Sequence, residues 1–433
     1  MTDVATSESG TDVILGDLGV LLLECGTSVT DVRGTLEQVS RRALPDSPVE
    51  FAILPEMVMV SRPGAASSTT TVIGKGAALT FRQSAKASRL VRDLESGAQP
   101  LTAAPARIAA IRATPRRMPA LQSLIGCGLL AGSLATLFRC PWWAIVLALV
   151  VGLLVGGLTL LMMRVRAAAA VAPFVSAFVS TILVGAVASG LDLGPVPLFA
   201  VCAPIAILVP GALITNALLE LTSTDIVTGA SRLMYGLIML AFMAAGVFAG
   251  ASLTGMHIDS ASAALVGDAV QLTNDHGGWQ ALPPLWVAWI AVVILAIGIG
   301  LAFGSGFRLT VVCVVVMTGT YAVLALLSPV MGNVVATGVA GALLFVAARV
   351  LERVTLAVPA TVSFQPAFLL LVPGTIGLVS LASFDPQAVT TALMMFLSLS
   401  IGTKVGALLA DLARITRSTV FLRWVKPARM GEL

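Results

Sequence analysis

The chain has 433 residues, of which 57% are hydrophobic and only 11% charged, and its mean hydropathy is +0.98. Soluble domains carry about 25% charged residues, so this composition excludes a soluble globular protein and implies a polytopic membrane protein. The net charge of +4 is no nucleic-acid signal, because the basic residues fall in short loops and tails, where they set topology.

Residues 1–12 are polar and lack a basic n-region, and the apolar run Ile14–Leu23 is broken by Asp17. That is not the pattern of a cleaved signal peptide, so the first spans are expected to direct insertion. From about Val13 to Ser40 the apolar residues follow helical spacing, with Gly26-Thr27-Ser28 and then Asp31 in the middle. This predicts a helix to about Cys25, a stop at Gly26, and a second helix capped by Thr27 or Ser28. Val49–Val60 and Ser68–Ile73 are β-like, and Ala87–Gly97 reads as a short amphipathic helix. Residues 1–118, which hold 13 of the 26 Lys and Arg, are therefore read as a small cytoplasmic α/β domain. It ends in a basic linker, Ala103–Pro119, carrying Arg107, Arg112, Arg116 and Arg117.

Ten apolar spans follow, each near the 20 residues that a ~30 Å hydrocarbon core requires. They run over 119–138, 141–163, 169–189, 196–219, 230–254, 283–304, 309–327, 330–350, 355–383 and 387–411. Arg164, Arg166, Arg308, Arg349 and Arg353 lie in loops on one side, as does the basic tail of 412–433; the opposite loops are acidic apart from Arg139. The positive-inside rule then puts both termini in the cytoplasm.

The tetrapeptide Leu-Val-Pro-Gly occurs at Leu208 and again at Leu371, 163 residues later. The same shift carries the first, third and fifth spans onto the sixth, eighth and tenth. The membrane part is thus expected to be two five-helix repeats, 119–254 and 283–411, of opposite orientation. Pro210-Gly211 and Pro373-Gly374 break the fourth span of each. Proline removes a backbone donor, and polar backbone freed inside a membrane is tolerated only against protein or a water-filled cavity. Matched breaks in two halves mark a transporter's binding site, where half-helix ends suit a small zwitterion. Simple kinks are the plainer alternative.

The densest polar cluster beside the membrane is Thr215, Asn216, Glu220, Thr222, Ser223, Thr224, Asp225, Thr228, Ser231 and Arg232. Asn216, Thr228 and Arg232 are candidate substrate ligands, and Glu220 and Asp225 candidate proton carriers. A solvated loop with Asp225 or Thr228 as a helix cap is the alternative. Lys404 and Asp411 share a face of the tenth span as further proton-coupling candidates, although Lys404 is able to snorkel. Asn333 and Gln365 suit either helix–helix hydrogen bonds or substrate contact.

Enzyme chemistry has little support. Ser28 and Asp31 have no histidine within residues 1–118 to serve as base, and a helix cap explains them more cheaply. There is no phosphate-binding glycine loop for ATP. Two histidines, His257 and His276, are too few for zinc, and the five cysteines are scattered without metal or disulfide spacing, so no metal or cofactor is expected. A membrane-embedded enzyme with a hydrolytic or regulatory N-terminal domain, and a passive channel, remain as rivals to a transporter.

Three stretches carry a family resemblance. Leu22–Asp31 (LLECGTSVTD), Ile207–Leu233 (ILVPGALITNALLELTSTDIVTGASRL) and Leu369–Leu381 (LLLVPGTIGLVSL) resemble, in order and spacing, the threonine/serine exporter family. In some of its members the two membrane halves are separate chains. The resemblance implies export of L-threonine and L-serine across the bacterial cytoplasmic membrane, driven by protons; a homo-oligomer is allowed. It marks Gly26, Thr27, Ser28 and Asp31 in the N-terminal domain, and Pro210, Gly211, Thr228, Arg232, Pro373 and Gly374 in the membrane part. Lys404 has no place in the family pattern.

Overall fold

The helical spacing of Leu15, Leu18, Leu21 and Leu22 puts one apolar face on α1 (Thr2–Glu24) in the computed structural model. The structure describes residues 2–45, 47–63, 68–74, 78–116, 118–223, 225–259, 262, 265–273, 277–355, 366–367, 369–371, 378 and 386–425. α1 begins well before the expected Val13. Its buried face meets α2 (Val29–Ala43), α3 (Phe81–Ser96), α4 (Ala104–Arg112) and an antiparallel sheet in the order β1 (Glu50–Leu54), β2 (Met57–Arg62), β3 (Ser68–Ile73). The β-like run 49–60 is in fact a hairpin, because Pro55-Glu56 turns the chain so that Leu54 pairs with Met57. Alternation along β2 sends Val58 and Val60 into the core. The expected linker at 103–119 is a correction: Ala104, Ile108 and Ile111 share one face of α4 and are buried with α1, so this stretch completes the N-terminal core.

A second, larger core lies among the long apolar helices. These are α5 (Pro119–Leu137), α6 (Trp142–Met162), α7 (Arg166–Gly190), α10 (Ile226–Thr254), α12 (Leu285–Ala302), α13 (Phe307–Met331), α14 (Asn333–Thr355) and α15 (Pro386–Val425). All eight are long and apolar enough to cross a membrane. The bent pair formed by α8 (Leu198–Cys202) with its 3₁₀ continuation Ala203–Leu208, and α9 (Gly211–Leu221), is long and apolar enough when taken together to make a broken span or a re-entrant loop. The chain is a multi-pass membrane protein. Leu154, Phe248 and Val315 point outward from mid-helix, as lipid-facing residues do. Trp142, Trp143, Trp286 and Trp289 cluster at the starts of α6 and α12, the placement of an interfacial aromatic belt. Short α11 (Val266–Gln271) covers that end of the bundle, held by Arg139, which donates to the carbonyls of Leu272, Ala269 and Pro283.

The fourth span breaks where expected. The 3₁₀ turn ends at Leu208, the Gly211 N–H bonds the carbonyl of Val209, and α9 departs at 65°. The matching stretch, with Gln365, Pro373 and Gly374, lies outside the described residues. The fifth span begins at Ile226 instead of 230, while the apolar stretch of the tenth, Val389–Ala410, agrees with the expected 387–411 and sits in a helix that continues to Val425.

Helices pack in repeated pairs: α5 on α6 and α12 on α13, α7 on α10 and α14 on α15, with α5 on α12 joining the two sets. α14 and α15 approach backbone to backbone. A side chain at Gly402 would run into the backbone of Gly338, and one at Gly406 into that of Ala342. Small residues let backbones approach, and dispersion then replaces the hydrophobic drive that lipid removes. Gly402→Ala is expected to cost about 1–3 kcal/mol through overpacking. Thermal unfolding of the purified protein checks this, with Gly319→Ala, which faces open space, as the neutral control.

Candidate functional site

The site grows from the turn between α1 and α2. Gly26, at φ +79°, takes the left-handed conformation that ends α1, and its N–H bonds the carbonyl of Leu23 at 2.9 Å. Ser28 caps α2: its Oγ accepts from the Asp31 N–H at 3.2 Å and donates to Asp31 Oδ2 at 2.9 Å. Of the two residues the sequence offered as cap, Ser28 takes the role.

Val29 is the first residue of α2, and a first-turn amide has no acceptor within its own helix. Its N–H donates at 2.9 Å to Oε1 of Glu220, which lies near the end of α9 and 191 residues away. Glu220 is fully buried. Arg232 of α10 donates to the same Oε1 from Nη1. The second oxygen, Oε2, is also buried and accepts no hydrogen bond among the described residues. A buried carboxylate with one crowded and one bare oxygen is costly unless its cationic partner stays in place.

Contacts on either side complete the junction. Asp225, just before α10, accepts from Thr30 Oγ1 at 2.8 Å and from Arg33 Nη2 at 2.6 Å. Asp225 stands at the expected N-cap, yet its carboxylate serves α2 instead of its own helix. Asn216 Nδ2 donates to the carbonyl of Gly26 at 3.3 Å, and Thr228 Oγ1 to that of Ile53 at 3.5 Å. Arg349, near the end of α14, pairs with Asp31 at 3.5 Å and lies over the ring of Phe345. Lys404 of α15 donates to Ser223 Oγ. Three carboxylates, Asp31, Glu220 and Asp225, thus face three guanidinium groups, those of Arg33, Arg232 and Arg349.

The structure therefore joins groups that the sequence left apart: the Gly26–Asp31 motif, the 215–232 cluster and Lys404. Pro210 and Gly211 open α9 at the end away from Glu220. Asp411 lies in α15, with its side chain outside the described residues. Arg33, Thr30, Arg349 and the Val29 amide were not foreseen. The one available signal was the unmatched acidity of the 220–225 stretch, which implies cations supplied from elsewhere in the chain. Burial pushes the thiol of Cys25, beside the motif, up to about 12, which keeps it protonated near neutral pH.

A second junction lies next to α1. Phe81 stacks on Phe303 with ring centroids 5.2 Å apart, and its N–H bonds the Phe303 carbonyl. Arg116 donates to the carbonyls of Leu301 and Ala302, and its burial lowers its pKa. A cavity of about 260 Å³ opens there, lined by Leu23, Glu24, Cys25, Leu79, Phe81 and Phe303 among others.

Comparison with known proteins gives one family. The family model ThrE, "Putative threonine/serine exporter", matches residues 13–254. No curated protein and no solved structure matches the chain.

Asp225 is 7% exposed and Arg33 33%, so their pair is neither fully screened nor fully desolvated. A double-mutant cycle of Arg33→Ala and Asp225→Ala, followed by thermal unfolding, is expected to return a coupling of about 1–2 kcal/mol. A coupling near zero would make the pair incidental.

Proposed function

The chain belongs to the threonine/serine exporter family, and on that premise we propose that it is a secondary transporter. It carries L-threonine and L-serine out of the cytoplasm through the bacterial cytoplasmic membrane, driven by the proton gradient. One observation carries the reading. The broken fourth span runs directly into Glu220, a buried carboxylate that shares its proton-accepting group with Arg232 and the Gly26–Asp31 motif.

An ionisable group in such a position is functional by default. The bare Oε2 of Glu220 is able to take a proton or face an ammonium group, and either would weaken its hold on Arg232 and Val29. Proton binding and release of the junction are then one event. The break at Pro210-Gly211 supplies half-helix ends above it, where a carboxylate finds amides and an ammonium finds carbonyls. Lys404, through Ser223, ties the tenth span to the same loop.

Several features support two inverted halves. The first two spans of each set pack together, as do the third and fifth; the two first spans meet each other; and the family match ends at Thr254, the last residue of α10. On this reading residues 1–118 form an α/β domain on the cytoplasmic side, against the ends that carry Arg308 and Arg349, with both termini inside.

The test is efflux of labelled threonine from dipeptide-loaded cells. Expression of the chain is expected to raise efflux, and a protonophore to abolish the concentrative part. Glu220→Gln, inserted at normal levels, is expected to lose about tenfold or more of that rate. Efflux unaffected by the protonophore would point to a channel, and a wild-type rate in Glu220→Gln would remove the proton role of this residue.

A further inference from the structure

We propose that Arg139 and Asn333 are the positioning residues of an outer gate, in which α11 is strapped across the end of the bundle that lies away from residues 1–118. The gate seals the outer end of the broken fourth span and must release before a solute leaves. The proposal rests on the exporter reading for the identity of that solute.

The two residues grip α11 from different turns. Arg139, between α5 and α6, is 8% exposed and donates to the carbonyls of Ala269 and Leu272 at the carboxyl end of α11 and to that of Pro283 beyond it. A cation suits that end of a helix. Its backbone is left-handed at φ +49°, which a non-glycine residue keeps only where its surroundings fix it. Asn333 follows Gly332, left-handed at φ +77°, in the turn between α13 and α14. Asn333 Nδ2 donates to Asp268 Oδ1 at 3.0 Å, while Asp268 Oδ2 accepts from the Leu265 N–H at 3.1 Å. A side chain at Gly267 would run into Ser328 and Asn333, so α11 lies flush on the end of α13. The exporter reading puts these two turns in different halves, and alternating access needs the halves to part at this end. While both grips hold, one short helix ties them together.

The same stretch of chain covers the fourth span. Val196, just ahead of α8, pairs in parallel with Ile258: its N–H bonds the His257 carbonyl at 2.9 Å, and its carbonyl accepts from the Asp259 N–H at 2.8 Å. The Leu198 N–H, in the first turn of α8, donates to Ser262 Oγ at 3.2 Å. Phe199 stacks on Phe138 of the Arg139 turn with ring centroids 3.6 Å apart. Every residue from Leu198 to Ala206 is buried, so the arm leading to the Pro210-Gly211 break is closed from this end. α11 itself lodges Leu265, Val266 and Ala269 in the core, a small apolar area, so lifting it exposes far less than separating two spans.

The experiment locks the gate shut. Asp268→Cys with Asn333→Cys puts two thiols where a hydrogen bond stood, within the span of a short bis-methanethiosulfonate, and dithiothreitol removes the link. In cells loaded with labelled threonine, linking is expected to cut efflux about tenfold or more, and reduction to restore it. Neither single-cysteine variant is expected to respond to the reagent. A merely structural contact tolerates a link that keeps it closed, so full efflux from the linked protein overturns the gate and leaves the exporter reading intact. A second measurement needs no substrate. Arg139→Gln with Asn333→Ala releases both grips, and Cys140, 2% exposed between Arg139 and the covered α8, reports the opening. Its labelling by a membrane-impermeant maleimide, located by peptide mass spectrometry, is expected to quicken about tenfold over the wild type. An unchanged rate overturns the gate. This labelling decides if the double-cysteine variant fails to insert, or if the wild type exports no threonine, a result that by itself sinks the exporter reading alone.

Discussion

The bond from the Val29 amide to the buried carboxylate of Glu220, reinforced by Arg232, is the constraint on which the rest of the arrangement depends. It satisfies a helix terminus, neutralises a buried acid and fastens the N-terminal elements to the broken fourth span at one point. None of the three partners is comfortable alone. The amide has no acceptor in its own helix, the carboxylate is buried away from the surface, and the guanidinium is largely buried. Removing any one of the three would leave another buried group short of a partner, so they depend on one another.

This gives the cap of α2 a meaning that its sequence alone does not carry. Gly-Thr-Ser followed by Asp is an ordinary helix-entry pattern, and Ser28 performs that role with its bonds to Asp31. What distinguishes it is the destination of the next amide. The flanking pairs, Thr30 and Arg33 to Asp225 and Asp31 to Arg349, set the orientation of α2 so that the Val29 N–H meets Glu220 rather than solvent. These pairs are partly exposed and individually modest. Their value lies in register.

Much of the membrane architecture was legible because bilayer thickness dictates span length and the Pro210-Gly211 pair interrupts its helix, although Pro173 and Pro329 lie within the unbroken α7 and α13. The break at Pro210-Gly211 and the helix stop at Gly26 follow from backbone chemistry of the residues themselves. Local rules reached less far where burial, not charge, decided the outcome. Four arginines made 103–119 look like a solvated linker, yet Ala104, Ile108 and Ile111 form an apolar face that the N-terminal core takes in. The junction was legible only as two halves. Glu220 and Asp225 were visible as acids needing partners, but those partners lie some 190 residues away, and no pattern within either stretch specifies the pairing.

The central claim is that Glu220 holds the first turn of α2, and hydrogen exchange at the Val29 amide reads it directly. Without an acceptor in its own helix, that amide owes its protection to Glu220. In the unliganded full chain it should exchange slowly, and in Glu220→Ala it should exchange at the rate of an exposed amide while β2 stays protected. Slow exchange that persists in Glu220→Ala would contradict the account.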